Sequence, residues 1–264
     1  MEKHGGLRIH GEQPMLLDQR RDRILETIES KGFVSLQSLA DTVGVSDSTV
    51  RRDLEYLENI GQVRRTRGGA AYVGESLAGF DDRRNRALSE KQKIARATAE
   101  LIDNGETILL DGGTTTLEVA RNLVGKSLQI VTNSLPILNL LVGVSNIELI
   151  SLGGYLYPKT GVALGELTIA ALQKVHARRL IMGVGGVTEA GLFNSNSLLV
   201  ETERQMLDVV DEVIVVADSG KLGHSELTHL CPLTSVDRFV VDDGISEGWQ
   251  QTLRNHDIDL IVAK

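Results

Sequence analysis

The chain has 264 residues, 41% of them hydrophobic, with 28 Lys and Arg against 36 Asp and Glu and a formal net charge of −8. This length suffices for about two domains, and a single cysteine, Cys231, excludes an intramolecular disulfide and favours a reducing compartment. The apolar runs are only as long as strands, so we expect no secretory leader, no membrane span and a cytoplasmic location.

Residues 1–17 have no hydrophobic periodicity and are predicted to form a mobile arm. Residues 18–73 are predicted to form a winged helix-turn-helix. The first helix is expected over Asp18–Ser30, and Gly32 lies just past its end, where a helix stop belongs. Its inward-facing side chains are expected to be Leu17, Ile24, Leu25 and Ile28.

Ser35 is expected to cap the second helix, in which apolar residues recur at i, i+3, i+4 and i+7. These residues are Leu36, Leu39, Ala40 and Val43. The turn Gly44-Val45-Ser46 follows, and the Ser46 hydroxyl can accept a hydrogen bond from the first turn of a third helix.

The third helix carries the predicted DNA contacts. Val50, Leu54 and Leu57 share its core face, so the hydroxyls and the two adjacent arginines lie on or beside the opposite face. Arginine can bond bidentately to guanine, and hydroxyls can bond bases or phosphates. We therefore predict a DNA-reading surface made of Ser46, Ser48, Thr49, Arg51 and Arg52.

A basic hairpin is predicted to follow, with residues 62–65 pairing with 70–73 around a loop at 66–69. Arg64, Arg65 and Arg67 can reach DNA phosphates there. The basic character is local, because residues 1–75 carry 11 Lys and Arg against 12 Asp and Glu, net −1, and the remaining residues carry 17 against 24, net −7. The alternative interpretation is a small helical domain that contacts protein and whose arginines are merely solvated.

Residues 74–90 are predicted to be a solvated, mixed-charge linker, and residues 91–264 an effector-binding and oligomerisation domain. Strands that are almost continuously apolar alternate there with helices, which predicts an α/β fold with a mostly parallel sheet covered on both faces. The predicted strands are 107–111, 128–132, 147–151, 179–185, 212–218, 238–242 and 258–263, and the predicted helices are 91–103, 115–124, 134–142, 164–175 and 197–210.

The loop with sequence DGGTTT lies between a predicted strand and a predicted helix. Its glycines allow close approach of a ligand, and the amides and dipole of the helix N-terminus attract anions. It matches neither a P-loop nor a dinucleotide fingerprint. We predict ligand contacts from Asp111, Gly112, Gly113, Thr114, Thr115 and Thr116; the alternative is a glycine-rich turn whose threonines only cap the helix.

Other polar loops also follow predicted strands, and ligands of open α/β sheets bind beyond the carboxyl ends of the strands. We therefore expect these loops to converge on one pocket, with further contacts from Asn133, Gly153, Gly154, Asp218 and Lys221. The Lys221 ammonium can neutralise a phosphate or bond a sugar oxygen, although a surface lysine after a strand would have the same sequence context. Asp111 and Asp218 can bond sugar hydroxyls or cap helices.

No catalytic residue, metal or cofactor is predicted. The six histidines lack metal-ligand spacing, and Cys231 has no partner motif. Glu201 and Glu203 lie two apart in a predicted helix and point to different faces, so at least one is expected in solvent.

From Asp18 to the C-terminus, the chain resembles the DeoR family of bacterial transcriptional regulators. The matching motifs, in the family's order, are SDSTVRRDL from Ser46, RxxGGA from Arg65, KxxIA from Lys91, DGGTTT from Asp111, VTNS, LGG and DSGKLG.

The resemblance implies a winged helix joined to a sensor domain similar to ribose-5-phosphate isomerase, a phosphorylated sugar as effector, and repression of a carbohydrate-use operon. On the family's pattern Asp111, Gly113 and Thr114–Thr116 would hold the phosphate and Lys221 would lie at the sugar. The chain departs from the pattern at Gly220, where the family commonly has serine.

We therefore expect a repressor that is not an enzyme, binds double-stranded operator DNA and acts as a homo-oligomer, a dimer or a tetramer. The alternative is a sugar-phosphate isomerase-like enzyme with a DNA-binding appendix, although no general base paired with an acid is evident from spacing.

Overall fold

The structure is a computed structural model, and it describes residues 16–31, 33–59, 63–66, 68–72 and 80–264. The chain divides into an N-terminal unit, Met1–Gly74, and a C-terminal unit, Glu75–Lys264. The predicted arm up to residue 15 lies outside the described residues, as do Gly32, Gly61 and Arg67.

The N-terminal unit combines three helices with a three-stranded antiparallel sheet of order β1-β3-β2. Its elements are α1 (Leu17–Lys31), β1 (Phe33–Ser35), α2 (Leu36–Val43), α3 (Asp47–Asn59), β2 (Val63–Thr66) and β3 (Gly69–Tyr72). The apolar stripes predicted for the three helices form one buried core with Val34, Val63 and Ala70. Leu17 is the exception, since it is the first residue of α1 and is exposed.

The helix-turn-helix follows from local capping. Ser35 Oγ accepts a hydrogen bond from the Ser38 amide, as predicted. Gly44 ends α2 with φ 66°, a left-handed conformation that glycine adopts without steric cost, and its amide bonds the Ala40 carbonyl. Ser46 Oγ then accepts from the Thr49 amide at 3.4 Å, which confirms the predicted cap of α3.

The hairpin keeps its predicted register, with Arg65 opposite Ala70, but its strands extend one pair further than predicted. Thr66 pairs with Gly69, so the connecting turn has two residues, not the four predicted. Sequence analysis also missed β1, which pairs with β3. The two strands are in close contact at Gly69, where a Cβ would lie 2.0 Å from the Val34 carbonyl oxygen. A three-residue strand is too short to show hydrophobic periodicity.

The C-terminal unit is built on a seven-stranded parallel sheet of order β15-β14-β12-β9-β4-β5-β6. These strands are β4 (Thr107–Leu110), β5 (Leu128–Thr132), β6 (Ile147–Ser151), β9 (Ala177–Met182), β12 (Val210–Val216), β14 (Arg238–Asp242) and β15 (Asp259–Ala263). The predicted α/β class and parallel sheet are confirmed. The fourth predicted strand, 179–185, begins two residues earlier than predicted, at Ala177, and ends at Met182, before Gly183 and Gly185.

Seven helices accompany the sheet in the described part of this unit: α4 (Phe80–Asn85), α5 (Leu88–Glu100), α6 (Thr114–Leu123), α7 (Leu135–Leu141), α8 (Glu166–Leu172), α9 (Ser197–Leu207) and α10 (Glu247–Asn255). Sequence analysis missed α4 and α10. Helix α4 and the first turn of α5 lie within the predicted linker, and Phe80 packs against a buried apolar cluster, so residues 80–90 are not a solvated connector.

Two small antiparallel sheets also escaped sequence analysis. One is the hairpin of β7 (Tyr155–Tyr157) and β8 (Val162–Leu164), and the other joins β10 (Gly186–Thr188), β11 (Gly191–Asn194) and β13 (Thr228–Cys231). Both lie in chain segments that follow strands of the main sheet, and their residues help to wall the cavity described below.

Candidate functional site

The predicted hydroxyl contacts come together at the N-terminus of α3. Ser46 Oγ lies 2.9 Å from Ser48 Oγ and 3.1 Å from Thr49 Oγ1, and Ser46 and Ser48 are exposed. These hydroxyls hydrogen-bond one another at the helix end, where they can exchange partners with a base edge or a phosphate.

Arg51 and Arg52 are exposed on α3, while the next residue, Asp53, is buried. Arg20 donates two hydrogen bonds to Asp53, from Nε at 2.6 Å and from Nη2 at 3.2 Å, and Arg21 donates a third at 3.2 Å. The Arg21 guanidinium also stacks 3.7 Å from the Tyr56 ring centroid. Asp53, which sequence analysis overlooked, thus fixes the helix that presents the arginines.

The wing is tied to α3 by a second ion pair. Glu58 Oε1 accepts from the Arg65 amide at 2.9 Å, and Oε2 accepts from Arg65 Nε at 2.6 Å. This pairing places Arg65 beside Arg51 in a groove between α3 and the hairpin. The Arg64 side chain and the whole of Arg67 lie outside the described residues, so those two predicted contacts remain predictions.

A cavity lies at the carboxyl ends of β4 and β9. These adjacent strands mark the point where the chain changes its direction of travel across the sheet, from β4-β5-β6 to β9-β12-β14-β15. The lining residues are Arg83, Lys91, Asp111, Gly112, Gly113, Thr114, Thr115, Tyr157, Lys159, Thr160, Gly183, Val184, Gly185, Asn194, Ser195, Asn196, Leu199, Glu203, Lys221 and Glu226.

One wall of the cavity is the N-terminus of α6. Gly113 is its N-cap and supplies no side chain, so no side-chain cap covers the amides of this ten-residue helix. Gly112 is required for packing, because a Cβ there would lie 2.0 Å from Val162 Cγ1 on β8. The wall therefore offers backbone donors and a positive dipole end to an anion.

Four cationic side chains also line the cavity: Arg83, Lys91, Lys159 and Lys221. Lys91 is buried, and its Nζ donates to the carbonyl oxygens of Arg83, at 2.5 Å, and Arg86. Burial, reinforced by the nearby Arg83, lowers the pKa of Lys159. The cations come from three separate parts of the chain, and sequence analysis identified only Lys221 among them.

Two buried carboxyl groups, Asp111 and Glu203, line the same cavity. Burial raises the pKa of Asp111 to about 7. A hydrogen bond from the Gly112 backbone acts in the opposite direction. Burial, and then repulsion from Asp111, raises the pKa of Glu203 well above its usual value. Glu203 accepts two hydrogen bonds from Asn194 Nδ2, at 2.7 and 2.8 Å, and Asn194 Oδ1 accepts from the Gly185 amide at 2.6 Å.

Glu201 is exposed, as expected for one of the two glutamates. Glu203, two residues further on, is buried and interacts electrostatically with Asp111. Residue spacing did not reveal this pair, because Asp111 follows β4 and Glu203 lies within α9, far apart in the chain.

Five predicted ligand residues do not line the cavity, so the expected convergence of all polar loops is wrong. Thr116 is fully buried and its Oγ1 donates to the Gly113 carbonyl at 3.1 Å. Asn133 is buried and donates to the Ala163 carbonyl. The other three are Gly153 and Gly154, which pack against Thr168, and Asp218, which begins the turn before Lys221.

The turn that carries Lys221 is held by a residue missed in the sequence, Asp242 at the end of β14. Its Oδ1 accepts from the Ser219 amide at 2.6 Å, and its Oδ2 accepts from Ser219 Oγ at 2.8 Å and from the Gly244 amide at 2.9 Å. Asp242 therefore positions the loop that places Lys221 at the cavity.

Within the described ranges no group of three His, Cys, Asp or Glu residues could hold a metal ion. A search of the same residues for a helix long and apolar enough to cross a membrane also found none.

Family models match both units. The DeoR-like helix-turn-helix domain matches residues 20–76, and the DeoR C terminal sensor domain matches residues 86–243.

Curated relatives match almost the full chain. The glycerol-3-phosphate regulon repressor of Escherichia coli strain K12 is 33% identical over 245 residues, covering 92% of this chain and 97% of that protein. The HTH-type transcriptional repressor GlcR of Bacillus subtilis strain 168 is 28% identical over 252 residues, covering 95% and 98%. Among solved structures, ribose 5-phosphate isomerase A of Methanocaldococcus jannaschii is 19% identical with a TM-score of 0.39, covering 52% of this chain and 55% of that one.

Proposed function

The chain belongs to the DeoR family of transcriptional regulators, and on that premise we propose that it represses a carbohydrate-use operon and loses DNA affinity when a phosphorylated sugar fills its cavity. The observation that carries this proposal is the cavity itself, which joins an open helix N-terminus and four cationic side chains to two buried carboxyl groups. A phosphomonoester that carries hydroxyl groups fits this cavity, because its phosphate suits the helix end and the cations and its hydroxyls suit the carboxyl groups.

In this proposal, Arg51 and Arg52 read base edges in the major groove, and the hydroxyls of Ser46, Ser48 and Thr49 bond bases or phosphates. Arg65, with Arg64 and Arg67, contacts the backbone from the wing. Because each copy offers few phosphate contacts, useful affinity requires two or more copies on one operator, so we propose a dimer or tetramer. Two-fold symmetry then predicts half-sites about 34–36 Å apart.

The phosphate is proposed to bind the α6 amides at Gly113–Thr115, with Lys221 beside it. This assignment is supported by the open helix end and by the loop that Asp242 fixes. One relative is the repressor of a glycerol-3-phosphate regulon, which supports a phosphorylated effector for this chain, and the binding experiment below identifies the sugar.

The signal is proposed to pass through Lys91. Its ammonium bonds the carbonyls of Arg83 and Arg86, at and just past the end of α4, and it also lines the cavity. Helix α4 is the first described element of the C-terminal unit. An anion that draws Lys91 toward itself would weaken the hold on α4, which couples ligand binding to a segment near the boundary of the two units.

The test begins by selecting operator DNA from genomic fragments with the purified full chain. Fluorescence anisotropy then measures operator affinity with and without each phosphorylated sugar of a panel of three to six carbons. We expect at least one to weaken binding about 5-fold or more, within the usual range of allosteric coupling, while the unphosphorylated sugar has no effect. Failure to select DNA, or unchanged affinity with every sugar phosphate, contradicts the proposal.

An isomerase remains a second candidate, since Asp111 and Glu203 form a buried carboxyl pair and the pKa of Asp111 lies near neutrality. We infer binding without turnover because the family is regulatory. NMR in D₂O distinguishes the regulator from the isomerase, because it follows proton exchange and product formation from aldose and ketose phosphates. Conversion of any of these sugar phosphates by the wild-type chain, lost in the Asp111→Asn variant, would establish the enzyme instead.

A further inference from the structure

We propose that Arg83 in α4, with Lys159 and Thr160 in the turn of the β7–β8 hairpin, completes the phosphate site at the N-terminus of α6. A site of this kind selects a doubly charged phosphomonoester over an ester that carries a single charge. The inference rests on the proposed function and deepens it, since it names the side chains that hold the phosphate and includes three that sequence analysis did not identify.

The turn of the β7–β8 hairpin lies directly beside the N-terminus of α6. The Leu135 amide donates to the Gly161 carbonyl oxygen at 2.8 Å, which ties the turn to the start of α7. Val162, the first residue of β8, fills the space beside Gly112, since a Cβ on that glycine would lie 2.0 Å from Val162 Cγ1. The two turn residues of the proposal therefore line the cavity close to the helix end.

Helix α4 brings Arg83 to the same part of the cavity. This helix packs against α6, and Arg83 is half-buried and lines the cavity. Lys91 Nζ donates to the Arg83 carbonyl oxygen at 2.5 Å, which holds the backbone that carries the guanidinium. Burial, and after it the positive charge of Arg83, lowers the pKa of Lys159, so the two side chains lie near each other. We call Arg83 and Lys159 the cation pair.

The cation pair is unfavourable by itself and favourable around an anion. Two like charges in a half-buried place repel each other, because solvent screens them poorly. A phosphate between them replaces this repulsion with two attractive contacts, and both side chains donate hydrogen bonds to its oxygens. A phosphomonoester carries about 1.5 to 2 negative charges at neutral pH. It therefore gains more from the pair than a sulfate ester, which is also tetrahedral but carries a single charge.

Thr160 supplies an unused hydrogen-bonding group beside the cation pair. Its Oγ1 is buried and has no hydrogen-bond partner among the described residues, although the side chain lines the cavity. A buried polar atom without a partner costs free energy. A phosphate oxygen that accepts from this hydroxyl removes that cost. This observation does not depend on charge, and it points to a ligand acceptor at the hairpin turn.

The carboxyl groups in the described part of the cavity explain why an anion needs the cation pair. Two of them lie at another wall: Glu203 accepts from Asn194, which accepts from the Gly185 amide, and a Cβ on Gly185 would lie 2.8 Å from Glu226 Cγ. Asp111 lies two residues before the N-cap of α6. Its carboxylate opposes an anion at the helix end whenever it is ionised, so cations are needed there to outweigh it.

Matched esters of the same alcohol test the selection by charge. Glycerol 3-phosphate, ribose 5-phosphate and glucose 6-phosphate are each paired with the sulfate ester at the same position. Calorimetry at pH 7.5 measures the dissociation constants with the full chain. We expect the phosphate ester of the best-bound pair to bind at least about 10-fold more tightly than its sulfate ester, because of its additional charge.

Lys159→Met keeps the aliphatic stem and removes the charge. It should weaken binding of the phosphate ester at least about 10-fold and of the sulfate ester less, so that the ratio of the two dissociation constants falls about 3-fold or more. Arg83→Met should lower the ratio in the same direction. Thr160→Val should weaken both esters by about 3-fold and leave the ratio unchanged, since either ester can accept from the hydroxyl.

Two further variants are controls. Lys159→Arg retains the positive charge and should keep the ratio within about 2-fold of the wild-type value. Lys174→Met changes an exposed lysine just past α8 that does not line the cavity, and both dissociation constants should stay at their wild-type values. Operator binding and circular dichroism show that each variant folds, and Arg83→Met carries the test if Lys159→Met does not fold.

A wild-type chain that binds the two esters of every pair within about 3-fold of each other overturns the inference. It is also overturned if Lys159→Met weakens both esters by the same factor, or if Lys159→Arg loses as much affinity as Lys159→Met. In these outcomes the proposed function stands, because a phosphorylated sugar still binds. Absence of binding by every phosphate ester, with operator affinity unchanged, overturns the proposed function and the inference together.

Discussion

Arg20 Nε lies 2.6 Å from Asp53 Oδ2, and this pairing joins α1 to the helix that carries the proposed DNA contacts. Asp53 is buried and accepts from Arg20 and Arg21, so replacing it with asparagine removes the negative charge that the two arginines share and turns one acceptor oxygen into a donor that faces a guanidinium. We expect Asp53→Asn to destabilise the N-terminal unit by about 2–4 kcal/mol. Hydrogen exchange of the α3 amides, read by mass spectrometry, measures this loss.

The exposed pair Arg23–Glu26, at 3.4 Å on the same first helix, provides a control. Glu26→Gln should change stability by no more than about 0.5 kcal/mol, because solvent screens the pair. Equal protection of α3 in the Asp53 variant and the wild type would contradict a positioning role for Asp53.

Arg52 is expected to contribute to sequence-specific DNA binding. Arg52→Ala should weaken binding to the selected operator by about 1–3 kcal/mol if the guanidinium bonds a base edge. Its affinity for unrelated DNA should fall less. Anisotropy titrations on both DNAs measure the two losses, with the exposed Arg23→Ala as a charge-matched control; equal losses on both DNAs would assign Arg52 to phosphates instead.

Gly112 is expected to be intolerant of any side chain. In Gly112→Ala the new Cβ would meet Val162 Cγ1 at 2.0 Å, so the DGGTTT loop or β8 must move. We expect a stability loss of about 1–3 kcal/mol, as for other overpacked sites, together with weaker ligand binding. Urea unfolding and calorimetry report the two effects.

Adding Val162→Ala to Gly112→Ala removes the clashing methyl group and should recover part of both losses. Gly143→Ala is the matched control, since a Cβ there meets nothing within 4 Å. If the double variant is no better than Gly112→Ala alone, the steric explanation fails.

The stability of the chain should depend on Asp111 in a defined pH range. Burial raises its pKa from 3.8 to about 7, so between these values the folded protein binds a proton that the unfolded chain releases. The free energy of unfolding therefore falls as pH rises from about 4 to about 7. Asp111→Asn should flatten this slope, so the variant gains stability relative to the wild type between pH 5 and pH 8.

Urea midpoints at pH 5, 6, 7 and 8 measure the difference between the two proteins. The exposed Asp103→Asn change should leave the wild-type profile intact. A difference that is constant with pH, or that shrinks as pH rises, would refute the assignment.

Lys91 is expected to separate DNA binding from ligand response. Lys91→Met retains the aliphatic stem but cannot donate to the Arg83 and Arg86 carbonyls. We expect operator binding to persist and its release by the sugar phosphate to drop from about 5-fold to below about 2-fold. Lys93→Met removes the surface pair Lys93–Asp243 two positions away and should preserve the response; a normal response in Lys91→Met would rule out the proposed route.

Much of the secondary structure was predictable because it depends on local pattern. Three strands of the main sheet, Leu128–Thr132, Ile147–Ser151 and Arg238–Asp242, agree with their predicted bounds. Each is a short apolar run that contains β-branched residues. The short strands of the two small sheets were not predictable, since three or four residues carry too little periodicity.

The candidate DNA surface was largely evident from the sequence, whereas the candidate ligand site was only half evident. The helix-turn-helix is set by nearby residues, such as the caps at Ser35 and Ser46 and the turn at Gly44. The DGGTTT loop was likewise visible as a strand-to-helix junction. Asn133 and Gly154 were misassigned, because a polar or glycine residue after a strand can serve packing as well as ligand contact.

The sequence by itself determined the family, the order of the two units, the α/β class and the anion-attracting helix end, because each of these is encoded in contiguous residues. Only the tertiary structure decided what faces that helix end. Helix α9 and strand β11 bring Glu203 and Asn194 into one cavity with Asp111, and α4 brings Arg83 to Lys91. Burial then changes the properties of these groups, since a carboxyl group that would be ionised on the surface has its pKa raised to about 7 at Asp111, beside the second buried carboxyl of Glu203.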